Sequence, residues 1–255
     1  MRILSIDSSL GTQLLVADAD LGPGAADPID LHVLTAAQQD SPRRHAESLG
    51  PMLADALAHP AVAAAPLDAV VAATGPAPFT GLRAGLVTAR ALGRVRNLPV
   101  YGVPSLDAVA RAALDRLAER DGGLGAPATV RVVTDARRKE VYTACYRTRG
   151  ADDVERLGEY EVLAPAVLRG REDSGELRPA DVVAGSGAVL YPELTAGREV
   201  LAPVSGDAAA QVRIALARLR VLSGTGEEAL RAAGLGTQPL YLRRPDVQPA
   251  AGRGR

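Results

Sequence analysis

The chain of 255 residues sets 29 basic against 30 acidic side chains, for a formal net charge of −1, with 47% hydrophobic and 23% charged residues. That balance is of a soluble globular protein with no basic footprint for nucleic acid, and at 3% aromatics it has few platforms for stacking bases. A single cysteine, Cys145, excludes an intrachain disulfide and an aspartate at position 7 interrupts any secretory apolar run, so a cytoplasmic, membrane-free setting is expected.

Two short apolar runs, 2–6 and 13–18, flank "DSSLGT", whose Asp, Ser and Gly favour a turn, so the chain is expected to open with a β-hairpin ending its first strand near Asp7 and Ser8. A third strand is expected within 29–36, after a loop at 19–28 rich in Gly, Pro and Asp. Ser41 and Pro42 then give an N-cap and first-turn proline signal for a helix to about Leu57, with Leu49, Met52, Leu53, Ala56 and Leu57 at helical spacing and Pro51 expected to bend it. "LDAVVAAT" (67–74) is continuously apolar, as a buried parallel strand requires, and "LPVYGV" (98–103) reads as the next strand.

Between them stands "GPAPFTGLRAGLVTARALG" (75–93). It fails as a phosphate loop of the Walker type, because five residues rather than four separate Gly75 from Gly81 and no lysine follows. Thr80 can cap the helix, and a capped N-terminus would suit an anion, although a plain strand-to-helix turn explains the residues more simply. Gly81, Gly85, Ala89 and Gly93 recur every four residues as a stripe of small side chains. Each interior glycine costs about 1 kcal/mol relative to alanine, so close packing should offset it, either inside the chain's own core or against a helix of another subunit.

The pattern then restarts. After a helix at about 105–118, "TVRVVTDARRKEVYTACY" (129–146) reads as a second hairpin, with Asp135 placed as Asp7 is in the first. A loop-rich region leads to strand, glycine turn and helix in "DVVAGSGAVLY" (181–191) and to a late helix at 207–222. Two related α/β lobes follow from this repetition, an N-terminal one over 1–104 and a C-terminal one over 105–244, with helix 207–222 packing back on the first and a disordered tail at 245–255. Paired across a cleft, Asp7 and Asp135 could bind a metal or polarise water. His32, His45 and His59 are too dispersed for a ligand pair, and no G-x-S-x-G elbow occurs.

"MRILSIDSS", "RHAESLGPML", the run from "LDAVVAATGPAPFTGLRAGL" to "VPSLDAVA", "DARRKEVYTACY" and the ending "PLYLR" together resemble the TsaB (YeaZ) family, in order and over nearly the whole chain. Ala46 stands where Ser is common in that family and Ala77 where Gly is common, and no expected role depends on either. The resemblance implies an α/β, two-lobed actin/Hsp70/sugar-kinase-like (RNase H-like) fold with mixed sheets and flanking helices. It implies the dimerization subunit of the bacterial complex that makes N6-threonylcarbamoyladenosine in tRNA: a non-catalytic scaffold that binds TsaD, helps recruit TsaE and meets tRNA only through the complex, with a homodimer left open for the isolated chain.

The catalytic sister TsaD resembles N-H-x-E-G-H where this chain has "PSLDAVA", so Ser105 and Val109 replace the two metal-holding histidines. The resemblance therefore implies no catalytic residue, no metal and no cofactor of its own. It leaves an adenine nucleotide open at the partner interface and makes Asp7, Ser8 and Asp135 weak cofactor-binding candidates. The interface it implies is His45, Leu49, Met52, Leu53, Gly81, Leu82, Gly85, Leu86 and Ala89, forming a four-helix bundle with TsaD. The alternatives are a stand-alone ATPase or phosphotransferase using Asp7 and the glycine turns, and less well supported, a peptidase.

Overall fold

The computed structural model describes residues 1–24, 27–39, 45–120, 128–201, 206–224 and 226–243, apart from the side chains of His45 and Ala46. The Ser41–Pro42 helix start and the tail expected at 245–255 lie outside the described residues. Two five-stranded mixed sheets carry the fold.

The first hairpin forms as expected, from β1 (Arg2–Asp7) and β2 (Thr12–Asp20), and β3 (Asp30–Gln39) adds antiparallel to β2. The helix α1 (His45–Ala58) and a short turn of helix α2 (Pro60–Ala63) lead to β4 (Ala69–Ala73), which is parallel to β1. The helix α3 (Phe79–Arg96) crosses to β5 (Val100–Val103), parallel to β4, so the sheet order is β3-β2-β1-β4-β5. Asn97 closes α3 in the left-handed conformation, where its short polar side chain is tolerated.

The second sheet repeats this plan. After α4 (Ser105–Arg120) come the hairpin β6 (Val130–Asp135) and β7 (Val141–Arg149) and an antiparallel β8 (Asp153–Leu163). Then α5 (Pro165–Asp173), β9 (Val182–Ala184) parallel to β6, α6 (Ser186–Leu190) and β10 (Val200–Leu201) complete the order β8-β7-β6-β9-β10. Written from the hairpin side, the two sheets have the same order and the same pattern of parallel and antiparallel neighbours.

β8 and α5 occupy what the sequence reading left as loop. β8 is an edge strand in which only Asp153 and Val154 are buried, and Gly158 interrupts it at φ +101°, so it lacks a clean apolar alternation.

Alternation along β1 explains how helices cover both faces of the first sheet. Leu4 and Ile6 join Leu49 of α1 and Leu82, Leu86 and Ala89 of α3 on one side. Ile3 packs on the other with Val71, Val103 and the residues Val212, Ile214 and Leu216 of α7 (Ala208–Arg220). In the second sheet Val130 and Val132 meet Leu106, Val109 and Ala113 of α4, while Val133 joins Leu168 and Ala188 of α5 and α6. Each fully buried aliphatic side chain contributes about 1.5–3 kcal/mol.

The two halves meet where α4 crosses α7 at a seam of alanines, Ala108, Ala112 and Ala210. The short helix α8 (Glu227–Ala232) precedes a C-terminal segment that returns across the first sheet. There Gly102 donates its N–H to the Leu235 carbonyl at 2.9 Å and Leu240 donates to the Thr74 carbonyl at 2.8 Å.

Candidate functional site

Ser8 sits at the end of β1 because Ile3, Leu4 and Ile6 drive that strand into the core. Its hydroxyl donates to the Gly81 carbonyl at 2.7 Å and accepts from the Gly85 N–H at 3.1 Å, so it bridges both ends of one turn of α3. A side chain at Gly85 would collide with the Ser8 hydroxyl, and one at Gly93 with Val100. The small-residue stripe therefore exists to let α3 lie directly on its own sheet, the first of the two explanations the sequence left open. Thr80 is not the cap: α3 starts after Pro78 with no side-chain capping bond, and Thr80 is an exposed residue of its first turn.

This orientation decides what α1 and α3 present outward. Leu49, Gly81, Leu82, Gly85, Leu86 and Ala89 of the expected interface are buried in the chain's own core. Met52 and Leu53 are partly exposed, and the His45 side chain lies outside the described residues. The opposite side of α3 carries a second apolar row at spacings of three and four: Ala84, Val87, Ala91 and Val95, with Val87 65% and Val95 84% exposed. On α1, which packs beside α3, the exposed residues Gly50, Ala54 and Ala58 form a matching row of small side chains. Spacing in the sequence held this signal, but the glycine stripe one face over masked it.

The candidate carboxylates are held apart by separate partners. The Asp7 carboxylate accepts from the Ser9 N–H at 2.8 Å and hydroxyl at 2.6 Å, and from the Gln211 amide on α7 at 2.7 Å. Burial pushes its carboxyl up despite the Ser9 bonds, with the nearby charge of Asp207 adding to the shift. Gly206 packs against it so closely that a Cβ there would clash. Asp135 instead accepts from the Arg137 N–H at 2.8 Å and pairs with the Arg137 guanidinium at 2.9 Å, while its own N–H donates to Ser186 Oγ in the glycine turn. No hydrogen bond or ion pair joins the two aspartates among the described residues, and no group of three or more His, Cys, Asp or Glu there could hold a metal ion. Ser105 and Val109 serve structure: Ser105 exchanges hydrogen bonds with the backbone of Gly75, and Val109 is buried among the residues of the second core.

The β6–β7 turn has a conformation that sequence did not suggest. Arg137, Arg138 and Lys139 all have positive φ, at 63°, 57° and 58°. For side chains other than glycine this costs roughly 1–2 kcal/mol per residue, so the rest of the fold imposes the turn. The C-terminal segment docks next to it. Arg243 donates to the Ala136 carbonyl at 3.0 Å and pairs with Glu140, while Tyr241 stacks on Phe79 with ring centres 5.1 Å apart and accepts from Arg83 at 3.0 Å.

No helix among the described residues is long and apolar enough to cross a membrane. Residues 36–219 match the family model described as "TsaD: tRNA N6-adenosine threonylcarbamoyltransferase". An uncharacterized protein of Mycobacterium tuberculosis strain H37Rv is 37% identical over 224 residues, 87% of this chain and 86% of its own. The Escherichia coli K12 protein named tRNA threonylcarbamoyladenosine biosynthesis protein TsaB is 31% identical over 156 residues, 60% of this chain and 62% of its own. A solved Pseudomonas aeruginosa structure, titled as an uncharacterized protein with similarity to peptidase YeaZ, superposes with a TM-score of 0.64 at 26% identity, covering 95% of this chain and 99% of that one. YeaZ from the same organism superposes at 0.63 and 22% identity, covering 94% and 100%, and shares the fold. The chain belongs to the family of tRNA N6-adenosine threonylcarbamoyltransferases, within which it is a YeaZ (TsaB)-like protein linked to threonylcarbamoyladenosine biosynthesis.

Proposed function

We propose that this chain is a scaffold subunit that docks on a TsaD-type catalytic subunit, supports threonylcarbamoylation of the N6 amine of tRNA adenosine, and helps recruit TsaE. The observation that carries this reading is the outward apolar row of α3, Ala84, Val87, Ala91 and Val95, beside the small residues of α1. Aliphatic side chains 65% and 84% exposed two turns apart on one face gain most from being covered by another helix pair. Catalysis is assigned to the partner because the positions aligned with the sister subunit's histidines carry Ser105 and Val109, both committed to packing here.

Replacing Val87 and Val95 together by glutamate should abolish co-elution with the TsaD-type subunit while leaving the thermal unfolding midpoint of the isolated chain unchanged, because both side chains already face water. Co-elution retained by the double variant would overturn the docking face. Threonylcarbamoyl transfer by the isolated chain, without TsaD, would overturn the scaffold role.

A further inference from the structure

The outward row of α3 is bordered along one flank by arginines. Arg83, Arg90 and Arg94 are spaced by seven and four residues, interleave with Val87 and Ala91, and are all exposed. Helix α3 itself carries no Asp or Glu. Elsewhere arginines are matched by carboxylates: Arg111, Arg131, Arg198, Arg213 and Arg218 each hold at least one. On the α3 flank the bonds go only to neutral groups. Arg83 donates to the Tyr241 hydroxyl at 3.0 Å and lies 3.6 Å over the Phe79 ring, and Arg90 donates to the Thr237 carbonyl at 2.6 Å and hydroxyl at 3.2 Å. Arg94 forms no hydrogen bond or ion pair among the described residues. We propose that this flank is an electrostatic rim of the docking face, fitted to a catalytic subunit that presents carboxylates against it, an inference that rests on the scaffold role.

The cost of covering the row selects the partner's chemistry. A helix pair that buries Val87 and Ala91 also strips water from the guanidinium groups interleaved with them, and desolvated charge is costly unless an opposite charge replaces the water. A basic partner surface would add repulsion, so only an acidic one both covers the row and compensates the flank. Nothing within the chain supplies that compensation. The Glu227 carboxyl is lowered first by its bond to Arg231, the Arg90 charge is the least of its influences, and no hydrogen bond or ion pair joins the two. The helix dipole favours Arg94 near the C-terminal end of α3 but not Arg83 near its N-terminal end, so it does not account for the row.

The C-terminal segment holds the rim in place. Thr237 lies between the backbone bonds of Leu235 to Gly102 and of Leu240 to Thr74, and Tyr241 lies between Leu240 and the bond of Arg243 to Ala136. The groups that accept from Arg83 and Arg90 are therefore fixed at both ends, and the two guanidinium groups are ordered before any partner arrives. Each keeps N–H groups that these bonds do not use, since a guanidinium has five. Ordering in advance lowers the conformational cost of association. Arginine beside tyrosine and phenylalanine is also the composition enriched at protein interfaces.

Association of the full chain with the TsaD-type subunit, followed by surface plasmon resonance at about 0.01 M and about 1 M salt, tests the rim, because the screening length falls from about 30 Å to about 3 Å over that range. At low salt the double variant Arg90→Glu/Arg94→Glu should associate at least about tenfold more slowly than the parent and Arg94→Glu at least about twofold more slowly. At high salt both should associate at the parent's rate. The thermal unfolding midpoint of Arg94→Glu should equal the parent's, since the side chain is exposed and bonds to nothing among the described residues. Unchanged or faster association of either variant at low salt, or slowing that persists at high salt, would overturn the rim. Val87→Glu/Val95→Glu separates this inference from the scaffold role: binding abolished there but untouched by the arginine reversals removes the rim and leaves the docking face, whereas a parent chain that does not bind removes both.

Discussion

Ser8 and Asp7 are adjacent in sequence and do opposite things. Ser8 turns toward α3 and bridges Gly81 and Gly85, whereas Asp7 turns toward α7 and is sealed by Gln211 and Gly206. Gly85→Ala should therefore lower stability by about 1–3 kcal/mol, the usual cost of forcing an atom into a packed core, measured by urea unfolding of the isolated chain. Loss of partner binding with unchanged stability would show that the stripe faces outward after all. For Asp7 the sign follows from burial. Its folded-state carboxyl binds protons more tightly than in the unfolded chain, so its contribution to stability is full below the ordinary carboxylate range and is lost as pH rises through the raised value. Asp7→Asn should remove that loss. Unfolding midpoints of the two proteins, compared from about pH 3 to pH 7, should diverge in favour of the variant as pH rises, and parallel curves would refute the assignment.

At the scale of elements, α4 and α7 are joined by a ladder of charges beside their alanine seam. Arg218 of α7 pairs with Asp107 of α4 at 2.8 Å and with Asp153 of β8 at 2.9 Å, and Arg213 pairs with Asp115 and Asp152 at 2.5 and 2.7 Å. Asp107 also accepts from the hydroxyls of Tyr146 and Tyr160 at 3.0 and 2.7 Å. Burial first, and then the Asp107 charge and hydrogen bond, push both phenols upward, so they remain donors. Removing one member leaves the others buried without compensation. Arg218→Met should cost about 3–5 kcal/mol in denaturant unfolding, whereas breaking the exposed Arg231–Glu227 pair on α8 should change stability by no more than about 1 kcal/mol.

For the whole molecule, the two sheets are coupled through surfaces of very different character. The α4–α7 seam is built on the buried alanines Ala108, Ala112 and Ala210, so Ala210→Leu should push the halves apart and lower the thermal midpoint, by an amount equivalent to about 1–3 kcal/mol. A midpoint equal to that of the parent would show that the seam has room. The C-terminal segment is the second link, since its backbone bonds to Thr74 of the first sheet while Arg243 reaches Ala136 and Glu140 of the second. Its short, scattered apolar residues gave "PLYLR" no secondary-structure signal, and only its contacts reveal this role.

Period-two and continuous apolar runs were enough to read both opening hairpins, the buried strand 67–74 and the repetition that equates Asp7 with Asp135, because those strands are buried and their hydrophobic pattern is imposed locally. β8 escaped because an edge strand with a solvated face needs no such pattern. The glycine stripe was legible as a request for close packing, but its direction was not. A helix with glycines and leucines on one face and valines on the other can be turned either way until something distant chooses, and here that face packs on Leu4 and Ile6 of β1 and is bridged by a serine hydroxyl contributed 73 residues earlier in the chain. The sequence by itself determined the elements and the duplicated plan; the tertiary structure decided which face of α3 is core and which is free, because that depends on contacts between residues far apart in the chain.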